Sequence, residues 1–177
     1  MIFRLFRRKK DTRAWSLYAA AVAGARQPAL YLDFGLPDTP EGRFEAILLH
    51  VYLILRRFRH EDEAIRHLSQ DLFDVMFEDM DESLREMGIG DFGISHRVKK
   101  MGKAFYGHVQ AYDEALEATD DTPLEGALRR NLYRTGQPEA EQLGRMAAYV
   151  RRAVLDLDNT PTETLADGQV SFPRVAL

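Results

Sequence analysis

The sequence contains no cysteine among its 177 residues. Disulfide bonds, thiol nucleophiles and Cys-ligated zinc or iron–sulfur clusters are therefore excluded. Long apolar runs are also lacking. The stretches 14–25 and 46–55 cover about 12 and 10 residues, whereas a membrane-spanning helix needs roughly 20. We therefore expect a chain without disulfide bonds and without a membrane span.

The composition, with 45% hydrophobic and 29% charged residues, is typical of a soluble globular protein. The length suits one domain. The formal net charge of -4 conceals a basic start, because residues 1–13 carry six Arg or Lys and one Asp. The remaining chain is acidic, which disfavours a dedicated DNA-binding protein.

Residues 1–13 combine large apolar side chains with cations, and we interpret them as a basic amphipathic N-terminal arm. Such a segment can lie in the headgroup layer of a phospholipid surface. The residues expected to contact the membrane are Phe3, Arg4, Phe6, Arg7, Arg8, Lys9 and Lys10. We assign residues 14–157 to a helical domain and 158–177 to a flexible C-terminal tail, since the tail lacks helical periodicity.

Apolar residues recur three or four positions apart through most of residues 14–157, and no alternation typical of strands is present. The sequence therefore predicts an all-α, single-domain, bundle-like fold of about six helices. Thr39 and Pro40 predict a helix start, and Thr122 with Glu125 predicts a capping box. Gly88 and Gly90 are expected to shape a turn between two long helices.

The most unusual segment is 71–86, which is rich in carboxylates. On a helix, Asp71, Asp74, Glu78 and Asp81 form one stripe. One interpretation is that the basic run Arg97, Lys99, Lys100 and Lys103 neutralises this stripe inside the fold. The other is an acidic surface beside exposed Leu72, Phe73 and Phe77, which would bind a basic, apolar partner segment.

No motif for catalysis is complete. The glycine spacing of the dinucleotide-binding motif is present in Gly88-x-Gly90-x-x-Gly93. This segment, however, follows a predicted helix, whereas the motif requires a preceding strand. We therefore expect no catalytic residue, no cofactor and no enzyme activity. Two alternatives stay open. One is a helical metalloenzyme using His60, Glu63 and His67. The other is an adaptor that binds lipid at a membrane surface.

Three groups of residues resemble the ubiquinol-cytochrome c chaperone family. The groups are Tyr31-x-x-x-Gly35-x-Pro37-Asp38-Thr39-x-x-Gly42-Arg43-Phe44-Glu45, then Leu72-Phe73-Asp74-x-Met76-Phe77-x-Asp79-Met80-Asp81-x-Ser83-Leu84-Arg85-Glu86-Met87-Gly88-Ile89-Gly90-Asp91, and last Val98-Lys99-Lys100-Met101 with Ala104-Phe105-Tyr106-Gly107 and Ala111-Tyr112. The resemblance covers residues 18–116 well. The chain departs from the family pattern at His108, where arginine is expected, and it does not show the long targeting extension of mitochondrial members.

The resemblance implies an assembly chaperone of complex III that binds newly made cytochrome b or a similar nascent membrane protein, with the ribosome as a further partner. It also implies a bacterial protein in the cytoplasm, peripheral at the inner face of the membrane. The residues expected to bind the partner are Asp71, Leu72, Phe73, Asp74, Phe77, Glu78, Asp79, Asp81 and Arg85.

Overall fold

The computed structural model describes residues 11–86, 88 and 91–175, with backbone alone at 91, 92 and 94–99. Within these residues the chain forms eight α-helices and no strand. The helices are α1 (Thr12–Ala25), α2 (Pro28–Leu32), α3 (Pro40–Phe58), α4 (Glu63–Glu86), α5 (Asp91–Glu117), α6 (Thr122–Asn131), α7 (Ala140–Asp158) and α8 (Thr162–Ala166).

The six long helices confirm the predicted all-α, bundle-like fold. The two additional helices, α2 and α8, have five residues each. Elements this short do not complete two helical turns, so they leave no periodic pattern in the sequence. The helix α1 begins at Thr12, inside the segment assigned to the basic arm. The proposed membrane contacts at residues 3–10 lie outside the described residues.

Helix α3 is the centre of the bundle. It packs against α1, α4 and α7, while α5 packs against α4 and α6. Apolar residues three or four positions apart indicate one buried face, but residues 48–54 are all buried. A helix that is buried on all sides must be surrounded by neighbours. Its start is as predicted, since Thr39 Oγ1 accepts a hydrogen bond from the Gly42 amide at 3.1 Å.

The predicted capping box at Thr122 is wrong by one position. The helix α6 already includes Thr122, and Asp121 occupies the N-cap position. The Thr122 amide donates to Asp120 Oδ1 at 2.9 Å. Three residues that favour caps follow one another here, so the pattern alone does not select the capping residue.

The prediction of a C-terminal tail without structure is wrong for the described residues. The helix α8 lies within it, and Val170, Phe172 and Val175 pack against the core. Gln27, which follows α1, holds this segment in place. Its side-chain nitrogen donates a hydrogen bond to the Pro173 carbonyl, and its side-chain oxygen accepts one from the Val175 amide, both at 3.0 Å. We call residues 170–175 the C-terminal strap.

No helix in the described parts of the chain is long and apolar enough to cross a lipid bilayer.

Two glycines give a matched test of packing under the strap. A Cβ atom on Gly24 would lie 2.6 Å from Phe172 and 2.7 Å from His50, whereas a Cβ on Gly107 meets no atom within 4 Å. We expect Gly24→Ala to lower the free energy of unfolding by about 1–3 kcal/mol through overpacking. Gly107→Ala should raise it by about 0.5–1 kcal/mol through helix propensity. Urea unfolding measures both, and equal effects would contradict the packing described.

Candidate functional site

A groove with a volume of about 1170 Å³ lies between α3, α4 and α5, with contributions from α1 and from the turn after α6. Its volume exceeds the roughly 300–1,000 Å³ of ordinary small-molecule pockets. The residues that line it are Tyr18, Asp38, Thr39, Pro40, Glu41, Arg43, Phe44, Glu45, Ile47, Asp79, Met80, Ser83, Leu84, Lys100, Met101, Ala104, His108 and Arg134. We refer to this feature as the central groove.

The walls of the central groove are largely apolar. Phe44 and Ile47 come from α3, Met80 and Leu84 from α4, and Met101 from α5. Phe44, Ile47 and Met101 are only partly buried, although they pack against the core. Methionine side chains adapt to differently shaped apolar partners. This surface is thus suited to an apolar segment from outside the chain.

A carboxylate, Glu45, lies at the bottom of the central groove with its side chain 6% exposed. Its Oε2 atom is 3.3 Å from His108 Nδ1, and its Oε1 atom is 3.6 Å from an Arg134 guanidinium nitrogen. Burial raises the pKa of Glu45 to about 7, and the nearby Arg134 charge opposes that rise. Near neutral pH the group is therefore close to the midpoint of its titration.

His108 contributes a neutral ring to this floor. Burial lowers its pKa first, and the Arg134 charge lowers it further. Its Nδ1 atom is buried and, among the described residues, has no partner with hydrogen-bond geometry. The imidazole and the Glu45 carboxyl group thus face each other without a formed hydrogen bond.

Asp79 lies on another wall of the central groove, where Tyr18 from α1 donates a hydrogen bond to its Oδ2 atom at 2.7 Å. Burial, and then the bond to Asp79, raise the pKa of Tyr18 well above its usual range. The hydrogen bond links α1 to α4. Asp79 therefore has a structural role in addition to the predicted contact with a partner.

Two of the predicted partner-binding residues are not accessible. Leu72 is fully buried in the core, so the expectation of an exposed Leu72 is wrong. Asp71 is 6% exposed, and it accepts a hydrogen bond from the Asp11 amide at 3.1 Å. Asp71 therefore anchors the start of α1 and does not continue the predicted carboxylate stripe on the surface.

The predicted aromatic residues do reach the surface. Phe73 and Phe77 are partly buried, with ring centroids 4.7 Å apart. Phe73 also contacts Phe105 and Tyr106 on α5, at 5.3 and 6.2 Å. Tyr106 is 67% exposed. These four residues form an aromatic ridge along the contact between α4 and α5.

Carboxylates of α4 lie along the surface beside the aromatic ridge. Asp74 accepts a hydrogen bond from Gln70 at 2.8 Å, and Asp81 accepts one from Arg85 at 2.8 Å. Glu78 is partly buried. Gly88 ends α4 with φ at 78°, in the left-handed region that favours glycine, while Gly90 lies outside the described residues.

The metal-binding alternative gains no support from the geometry. His60, Glu63 and His67 are each exposed. Across the part of the chain that the structure describes, no three His, Asp or Glu side chains are grouped to hold a metal ion.

Glu45, His108 and Arg134 were not predicted as site residues from the sequence, although they meet at the bottom of the central groove. The sequence did contain a signal for Glu45. This residue lies in the apolar stripe of α3, between Phe44 and Ile47, where a charged residue is unusual unless it is paired. His108 and Arg134 carry no comparable local signal, because only tertiary packing brings them to Glu45.

The buried carboxylate leads to a prediction about pH. Glu45 has a folded-state pKa of about 7 and a reference value of 4.5. The stability that its protonated form contributes is complete below pH 4.5 and is lost as the pH rises through 7. We expect Glu45→Gln to be more stable than wild type at about pH 8, by roughly 3 kcal/mol, with a smaller difference at about pH 5. Urea unfolding at both pH values measures this. A difference that does not depend on pH would contradict it.

Comparison with known proteins shows where this chain belongs. It is 29% identical over 152 residues to the ubiquinol-cytochrome-c reductase complex assembly factor 1 of Xenopus laevis, covering 86% of this chain and 76% of the frog protein. It is 28% identical over 160 residues to the assembly factor 1 of Homo sapiens. That match covers 90% of this chain and 53% of the human protein. The chain thus spans about half the length of the human relative.

A solved structure and a family model agree with these matches. The crystal structure of the Cbp3 homolog from Brucella abortus aligns with a TM-score of 0.82 and 40% identity, covering 98% of this chain and 97% of that chain. The family model described as ubiquinol-cytochrome C chaperone matches residues 32–172. The resemblance seen in the sequence is confirmed, and the chain belongs to the ubiquinol-cytochrome c chaperone family.

Proposed function

We propose that this chain is an assembly chaperone of ubiquinol-cytochrome c reductase, and that it holds a segment of newly made cytochrome b in the central groove. The observation that carries the proposal is the row of apolar side chains that the fold leaves accessible there. An accessible apolar surface of this kind marks a binding site for another apolar surface. Membership of the ubiquinol-cytochrome c chaperone family supports the choice of complex III as the target.

The shape of the central groove supports a polypeptide as its occupant. An α-helix with its side chains is about 10–12 Å across, and amphipathic helices bind proteins by placing an apolar face into an apolar groove. The two groove methionines, Met80 and Met101, belong to facing helices. They would adjust to side chains of different shapes, as a chaperone surface requires.

The acidic residues beside the aromatic ridge form the second contact region of the proposal. Cytoplasmic loops of membrane proteins carry an excess of Lys and Arg. Asp74, Glu78 and Asp81 would attract such a loop while Phe73 and Phe77 contact its apolar residues. Arg85, which is exposed, lies on the same surface. Binding of this kind requires no bond-making chemistry.

The basic arm at residues 1–13 belongs to the same proposal. It would attach the chain to the inner face of the membrane, where cytochrome b is inserted, through attraction to anionic lipids. Such attachment weakens as salt concentration rises.

Filling the central groove should prevent capture of cytochrome b. Ser83 is exposed and lines the groove, whereas Ala64 is exposed on the same helix away from it. We expect Ser83→Trp to reduce the recovery of cytochrome b by about tenfold, because the indole occupies the space of the client. Ala64→Trp should leave recovery unchanged. The measurement is crosslinking in cells, purification of the tagged chain and quantification of cytochrome b. Undiminished recovery with Ser83→Trp would refute the groove as the binding site.

Charge reversal tests the acidic surface separately. Asp74 and Glu114 each accept a hydrogen bond from a glutamine one turn earlier on their helices, Gln70 and Gln110. We expect Asp74→Lys to weaken capture of cytochrome b about two- to fivefold. The effect should shrink at high salt, because salt screens the attraction between exposed charges at the rim of an interface.

Glu114→Lys is the matched control for this test and should leave capture unchanged. Asp79 is a poor choice for the same experiment, since its replacement also removes the partner of Tyr18. Equal effects of the Asp74 and Glu114 reversals would show that α4 has no special part in recognition.

A further inference from the structure

The floor of the central groove contains a buried carboxyl group. Glu45 has a side chain 6% exposed, yet the cation nearest to it among the described residues belongs to Arg134, which is 53% exposed. That guanidinium is 3.6 Å from Oε1 and is open to water, so its attraction is screened. The other oxygen, Oε2, lies 3.3 Å from Nδ1 of the neutral His108 imidazole. Among the described side chains, an ionised Glu45 is therefore poorly compensated.

Two states of this site follow from the chemistry of its groups. When Glu45 is protonated, its Oε2 atom can donate a proton toward His108 Nδ1, which lies 3.3 Å away and forms no hydrogen bond with any described residue. The carboxyl group is then uncharged and suits the apolar walls. When Glu45 is ionised, the buried carboxylate requires a cation, because a buried charge is costly unless it is paired.

We infer that the central groove recognises an apolar polypeptide helix that carries one lysine or arginine within its apolar face, and that this cation pairs with Glu45. The inference rests on the proposed function and specifies the class of segment that the groove holds. When the cation enters, the carboxyl proton leaves to solvent, so charge at the floor stays balanced. Binding is thereby linked to pH.

Several other titratable or charged side chains surround Glu45 or line the same groove. Described ones from each neighbouring element are Tyr18 from α1, Asp38 before α3, Glu41 and Arg43 from α3, Asp79 from α4, Lys100, His108 and Tyr112 from α5, and Arg134 after α6. Tyr18 and Tyr112 stay neutral near pH 7, since burial raises the pKa of each phenol. Burial lowers the pKa of His108, and Glu45 is the group with a pKa near 7.

The test uses two fluorescent helical peptides, each about four helical turns long and made of leucine, alanine and glutamine. They differ at one central position, which is lysine in one peptide and norleucine in the other. Binding to the full chain is followed by fluorescence anisotropy. At about pH 8 we expect the lysine peptide to bind about tenfold tighter, because only it supplies the charge that Glu45 lacks.

The pH dependence of peptide binding can be measured on the unaltered chain. The advantage of the lysine peptide should disappear as the pH falls from about 8 to about 6, since Glu45 takes up its proton in that range. Glu45→Gln should remove the advantage at every pH. Glu114→Gln removes the same charge from an exposed residue outside the groove, and this variant should keep the advantage of the lysine peptide.

The outcomes separate this inference from the proposed function. If both peptides bind wild type equally, the pairing with Glu45 is refuted while the groove remains a polypeptide site. If neither binds, the groove itself is refuted as a client site, and the inference with it. A third outcome is that the chain associates with itself, that this association excludes both peptides, and that Ser83→Trp abolishes it. The groove would then bind a second copy of this chain, and the inference would be overturned.

Discussion

The burial of α3 on every side is the constraint on which the rest of the fold depends. Seven consecutive residues, 48–54, are buried, so neighbours must cover the helix all round. The helices α1, α4 and α7 do so. Nearer its start, Phe44 and Ile47 are covered only in part. The central groove lies at this incompletely covered end, which places the candidate site directly on the element that organises the core.

Two polar residues of α3 show how the core and the groove differ. His50 is buried and bonded at both ring nitrogens, to the Ala46 carbonyl and the Tyr149 hydroxyl, each at 2.7 Å. Burial lowers its pKa to about 4, so it remains neutral and serves the packing. Glu45, one and a half turns earlier, is buried to a similar degree without such partners. Hydrogen bonds at both nitrogens satisfy His50 within the core, whereas Glu45 borders the groove and its nearest described cation, Arg134, is exposed.

Much of the architecture could be predicted from the sequence because it depends on local signals. The cap at Thr39, the helical spacing of the apolar residues and the glycine after α4 each act within a few residues. Errors arose where a helical register decides burial. Leu72 and Phe73 are adjacent and both apolar, but successive residues on a helix point about 100° apart. Leu72 consequently enters the core, while Phe73 reaches the surface.

The candidate site was harder to predict, since its floor combines residues that are distant in sequence. Glu45 belongs to α3, His108 to α5 and Arg134 to the turn after α6. Each is ordinary in its own segment, and the unusual feature is their meeting in a confined space. The family motif does include Glu45, but a motif does not reveal whether a carboxylate is exposed or buried. That distinction needs the packing of three separate elements.

The C-terminal strap ties the order of folding to the order of synthesis. Gln27 forms hydrogen bonds with the backbone of residues 173 and 175, which are synthesised 146 and 148 residues after it. Contacts this distant along the chain slow folding, because a large loop must close before they form. The neighbourhood of Gly24 and His50 is therefore covered only after Phe172 has been synthesised, and until then this part of the core lacks its aromatic cover.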